Sequence, residues 1–197
     1  MKDRSSKRPG SPRARLFLAL DLPDGVREAL VEWRSEALAG RDDLRPVAPE
    51  ALHVTLVFLG YLPEKQIVTV ARTAFEGLAG LEAPALTVRG VKPVPPRSPR
   101  LFALDLSDEG GRAVAVQAAA SEALEAARFY KPEKRPFWPH VTFARVKRGV
   151  PRAEAIEAEP PALKPFEARQ ITLYRSILRP QGALYEPQEQ LRLAGWS

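Results

Sequence analysis

The chain has 197 residues, 45% of them hydrophobic, enough for one compact domain or for two small lobes sharing a cleft. Cysteine is absent and the only histidines are His53 and His140, which excludes disulfides, thiolate zinc sites and a cysteine nucleophile. No EF-hand or His-x-x-x-His spacing occurs, so neither a metal nor another cofactor is expected. No apolar run reaches the ~18 residues of a membrane span, and the N-terminus lacks a signal-peptide pattern. The expectation is a cytoplasmic monomer with no membrane partner.

The net charge of +6 is unevenly placed. Residues 1–14 carry Lys2, Arg4, Lys7, Arg8 and Arg13 against Asp3, a net of +4 that leaves only +2 for residues 15–197. Rich in Ser, Pro and Gly, this segment reads as a solvated, disordered basic tail. The mildly basic body gives no argument for nucleic acid by charge alone.

Residues 15–21, RLFLALD, predict a strand buried on both faces. Pro23 suits the first turn of a helix whose inner stripe is Val26, Leu30, Trp33 and Ala37. Residues 52–59, LHVTLVFL, are rich in β-branched and aromatic residues and end at Gly60, which predicts a second strand. A second helix is expected from Pro63, followed by a strand over 85–91 and a Pro-rich connection at 93–99.

The order then begins again. Residues 100–106, RLFALDL, echo the first strand; a helix is predicted over 111–129; and residues 140–146, HVTFARV, echo LHVTLVF. Two half-repeats, about 15–92 and 100–195, are the natural reading of so long a period. Further strands are expected near 168–178 and 184–193, joined by a turn at 180–182. The predicted fold is α+β, a bilobal pseudo-twofold repeat of antiparallel sheets with helices on the outer faces and a central cleft.

Alternation along a strand puts His53 and Thr55 on one face, and His140 and Thr142 on one face. A single strand histidine is ordinarily a satisfied core or surface residue. Threonine fills only 6 of 197 positions, however, and its chance placement two residues after both histidines is roughly one in a thousand. Two imidazoles and two hydroxyls facing each other suit phosphoryl transfer, in which one proton leaves the nucleophile and another reaches the leaving oxygen. Imidazole performs either task near neutrality, and the threonines can hydrogen-bond the non-bridging oxygens.

The paired motifs HVTL, from His53, and HVTF, from His140, resemble the two HxTx signatures of the two-histidine phosphoesterases. Within that superfamily the chain most resembles the RNA 2',3'-cyclic phosphodiesterases, also described as bacterial and archaeal 2'-5' RNA ligases. The segments RLFLALDLP, PEALHVTLVFLG, FWPHVTFARV and LYRSILRPQGALY carry the resemblance in order, from about residue 15 to 193. It implies a bilobal fold and metal-independent hydrolysis of an RNA 2',3'-cyclic phosphate end to a 2'-phosphate, with possible reversal as 2'-5' ligation. By the same resemblance His53 is the proton donor and His140 the proton acceptor, while Thr55 and Thr142 bind phosphate.

Arg145 matches a frequent family arginine and is a candidate phosphate or RNA contact, with a surface salt bridge as the alternative, yet strict alternation turns it away from His140 unless the strand end twists or bulges. Phe17, Trp138 and Tyr174 are candidates to stack a terminal base, with packing as the alternative. Arg45, Arg97 and Arg100 are candidate backbone contacts. Alternative substrates are a nucleotide cyclic phosphate or a 2'-5' linked oligonucleotide, and a non-catalytic RNA-end-binding module is the alternative outside enzymes.

Overall fold

A computed structural model describes residues 11–151, 153–179 and 182–195. Along the chain run β1 (Arg13–Asp21), α1 (Asp24–Ala37), β2 (Leu44–Pro46), β3 (His53–Pro63), α2 (Ile67–Glu76), β4 (Ala85–Val94), β5 (Leu101–Glu109), α3 (Arg112–Ala126), β6 (His140–Val146), β7 (Phe166–Glu167), β8 (Gln170–Arg179) and β9 (Gly182–Arg192). The α+β expectation holds, but the halves share one curled antiparallel sheet. Its order is β7-β4-β5-β6-β3-β1-β8-β9, with β2 paired to β6.

Most element boundaries follow the residues that end them. Helix α3 starts after Gly110 and Gly111, both at positive φ, where the Asp108 carboxylate accepts the free Ala113 and Val114 amides at 2.9 Å. Strand β1 begins earlier than expected because Ala14 is buried opposite Leu62, so Arg13 and Ala14 belong to the sheet and not to the tail. Of the rest of the predicted tail, Ser11 and Pro12 lie just ahead of the strand and residues 1–10 lie outside the described residues. Strands β2 and β7 were not expected, since two or three residues carry no readable alternation.

The sequence repeats and the spatial halves are not the same objects. β4, from the first repeat, pairs with β5 of the second, while β8, from the second, pairs with β1 of the first. The helices cross over too: Trp33 of α1 packs edge-on against Phe143 of β6 at 5.0 Å, and α3 lies against β3. Burial of this helical face removes Leu16, Leu18, Leu20, Val54, Phe102, Leu104 and Val141 from water. The opposite face of the sheet carries the histidines.

Helices α2 and α3 touch through small residues. A methyl group added at Gly77 would lie 2.9 Å from Ala123 Cβ and 3.1 Å from the Ala119 carbonyl oxygen. Gly77→Val is expected to lower unfolding free energy by about 1–3 kcal/mol through overpacking. Gly25→Ala, where the new methyl meets nothing within 4 Å, should be neutral or raise it by up to about 1 kcal/mol. Urea denaturation of the two variants checks both signs.

Candidate active site

Strands β3 and β6 are joined by one pair, Val54 opposite Val141. Each valine directly follows a histidine, so a pseudo-twofold axis through this pair relates His53 to His140 and Thr55 to Thr142. Both His-Thr pairs then lie on the same side of the sheet, opposite the helices. The register repeats on the flanks, where Asp21 sits opposite His53 and Asp105 opposite His140. Thr55 and Thr142 lie opposite Ala19 and Ala103 in the same way.

The residue after each threonine occupies a bulge. Pairing jumps from Thr55 to Val57 on β3, passing Leu56, and from Thr142 to Ala144 on β6, passing Phe143. Leu56, Val57, Phe143 and Ala144 are all buried, so two consecutive residues go to the helical side in each strand. Beyond the bulge the alternation is reset. Arg145 pairs with Leu101, which shares its face with Ala103 and Asp105, and therefore lies on the histidine side. Arg45 pairs with Arg145 and joins it there.

The imidazoles are held alike. His53 Nδ1 donates to the Ala51 carbonyl, and His140 Nδ1 to the Trp138 carbonyl, each at 2.8 Å. That bond fixes the tautomer and leaves each Nε2 for chemistry. Thr55 Oγ1 is 3.0 Å from His53 Nε2, a bond in which a neutral imidazole accepts from the hydroxyl. Among the described residues, Thr142 Oγ1 has no hydrogen-bond partner.

Their surroundings differ. Around His53 stand Phe17, with centroids 4.9 Å apart, and Tyr185, at 5.4 Å and nearly perpendicular. Behind them Asp21, its carboxyl raised by burial, accepts from Thr172 at 2.6 Å and from the Tyr174 hydroxyl at 2.8 Å. Around His140, the Trp138 ring stacks at 4.2 Å and 12°, and its indole N–H donates to Asp105 at 2.6 Å. Lys92 pairs with the other Asp105 oxygen at 2.6 Å.

Burial pushes the His53 pKa down to about 4; the charges of His140 and Arg145 act in the same direction and the Ala51 carbonyl opposes them. His140 is also lowered by burial, but the Trp138 carbonyl and the Asp105 carboxylate favour its protonated form. The pair is therefore polarised: a proton is held less firmly at His53 than its symmetric position alone would give. Among the described residues, no group of three or more His, Asp or Glu side chains converges as a metal-ligand set.

The other candidate residues have distinct surroundings. Phe17 is 3% exposed and packs against His53, Tyr174 and Tyr185, so it braces the imidazole and presents no free face to a base. Trp138 has one face on His140 and Lys92 near its ring, and Tyr174 is tied to Asp21. Arg97 is exposed in the β4–β5 connection, and Arg100, one step before Leu101, falls on the helical side. Asp21, Asp105 and Tyr185 were not singled out from the sequence. The aspartates had a signal, since both copies of the first strand contain ALD.

Known proteins resemble the chain over most of its length. The chain is 37% identical over 189 residues to an RNA 2',3'-cyclic phosphodiesterase of Thermus thermophilus, covering 92% of this chain and 91% of that protein. It is 30% identical to an RNA 2',3'-cyclic phosphodiesterase of Archaeoglobus fulgidus, covering 87% and 96%. The apo crystal structure of E. coli LigT superposes with a TM-score of 0.76 at 27% identity, over 93% of this chain and 99% of that one. With residues 22–178 matching the profile of the 2'-5' RNA ligase superfamily, the chain belongs to that family of two-histidine phosphoesterases.

Proposed function

We propose that this enzyme hydrolyses the 2',3'-cyclic phosphate at an RNA end to a 2'-phosphate. The observation that carries the proposal is the pairing of Val54 with Val141, which sets two imidazoles, each tethered through Nδ1 with Nε2 left for chemistry, and two threonine hydroxyls on one face. In the reaction, His140 Nε2 takes a proton from the attacking water as its oxygen bonds to phosphorus. The bond from phosphorus to the 3' oxygen breaks, and His53 Nε2–H protonates that oxygen. Thr55 and Thr142 donate to the non-bridging oxygens, where charge accumulates in the transition state. Thr55 exchanges its bond to His53 for one to phosphate.

Polarisation of the pair supports these roles. Asp105 favours a proton on His140, which strengthens it as a base, while Arg145 disfavours one on His53, which strengthens it as an acid. The productive form, with the proton on His53, is accordingly the minority form of the singly protonated empty site. A bound phosphodiester anion raises both imidazoles toward neutrality.

His53→Ala and His140→Ala are each expected to lower kcat by about 10²–10⁴-fold. The double variant should fall no further than the worse single one, because the two groups act as a unit. Product mapping on a short RNA with a cyclic end, in EDTA, checks this: turnover should survive chelation, and unchanged turnover in both single variants would remove the mechanism.

The pH profile follows from both imidazoles lying below the ordinary histidine value of 6.5. The singly protonated pair is most populated midway between its two pKa values, so kcat/KM should be bell-shaped with its optimum below pH 6.5. The optimum in kcat should lie higher, since bound anion raises both groups. Rates from pH 4 to 9 at low and saturating substrate test this, and a kcat/KM optimum above neutrality would contradict it.

A further inference from the structure

Along β1 and β3 the histidine face continues outward from Phe17, away from the pseudo-twofold axis. Phe58 pairs with Phe17, Tyr61 with Arg15, and Pro63 with Arg13, so these side chains share that face. Strand β8 contributes Ser176 and Leu178 by alternation from Tyr174. Phe58, Tyr61 and Leu178 are 41%, 55% and 65% exposed, which places three of the chain's large exposed apolar side chains together. Scattered apolar surface is ordinary; a contiguous strip leading from a catalytic face is not.

The charge on this strip has one sign. Arg15 lies over the Phe58 ring at 4.6 Å and donates to Ser176 Oγ at 3.3 Å, with no carboxylate in ion-pair range among the described residues. Arg13 donates to the Tyr61 carbonyl. The nearby acids point elsewhere: Glu64 bridges Arg175 at 2.7 Å, and Glu186 is opposite Arg175, which pairs with Leu16 on the helical side. From Phe17 to Pro63 the paired positions on the histidine face hold no Asp or Glu.

We propose that this strip is a binding track for the single-stranded RNA segment on the 5' side of the reacting end. The inference rests on the cyclic phosphodiesterase reading above and extends it from a terminal group to an oligonucleotide. Bases stack on Phe58, Tyr61 and the guanidinium plane that Arg15 lays over Phe58, while Arg15 and Arg13 meet phosphates. Two strand residues advance the face by roughly 7 Å, so the track begins next to the site and needs no bend in the sheet. Stacking on an aromatic ring accepts any base, and the track is therefore sequence-tolerant.

The test compares a mononucleotide 2',3'-cyclic phosphate with a five-nucleotide RNA ending in the same group. The wild type should show higher kcat/KM on the oligonucleotide. In the Phe58→Ala, Tyr61→Ala double variant, the ratio of oligonucleotide to mononucleotide kcat/KM should fall about tenfold or more. Arg15→Gln should reduce the slope of log affinity against log salt for the oligonucleotide by about 0.7, the value for one phosphate contact on a single strand. Circular dichroism on these surface variants checks that they fold. A wild type without oligonucleotide preference, or a ratio unmoved in the double variant, overturns the track while leaving the activity standing. Failure of the wild type to open either cyclic phosphate overturns the activity itself.

Discussion

The site depends on a single contact between backbones, Val54 against Val141 at the centre of the sheet. An antiparallel pair centred on equivalent residues places their equivalent neighbours diagonally across the axis, so two His-Thr pairs meet without any loop having to position them. Val54 and Val141 form the one register pair between β3 and β6, so the two flanks of the sheet are joined here. Both valines are fully buried, and the packing that secures them also fixes the histidines one residue away. Rigid strands are the kind of support a geometry-sensitive proton transfer requires.

The second constraint is the bulge after each threonine. Leu56 and Phe143 let two successive residues enter the core, so the motif residues keep their face while the core receives additional apolar volume. Without these bulges, Arg145 would face the helices. With them it reaches the histidine side, where its charge weakens the hold of His53 on a proton. A local irregularity in hydrogen bonding thus has an electrostatic result.

Much of the frame was legible in the amino-acid order. HVT in two strands, apolar residues at alternate positions and the echo of RLFLALD by RLFALD identified the histidine face and the doubling. Three features were hidden for physical reasons. Bulges change side-chain direction without changing composition, so Arg145 could be placed only conditionally. The second RLF copy is one residue shorter when counted from its Asp, which turns Phe17 toward His53 but Phe102 into the core. The partners of Asp21 on β8 and the place of Tyr185 on β9 come from long-range pairings, which leave no local pattern.

The exchange of strands between repeats also governs the order in which the molecule can be completed. β3 lies in the first third of the chain, yet the neighbouring Asp21 receives its Thr172 hydrogen bond from 151 residues downstream. During synthesis, the sheet around His140 has β4 and β5 available as soon as β6 emerges, whereas the surroundings of His53 must wait for the last strands. Contacts of such long separation are slow to form. Loss of the C-terminal hairpin would accordingly disorganise the surroundings of the older, N-terminal histidine before those of the younger one.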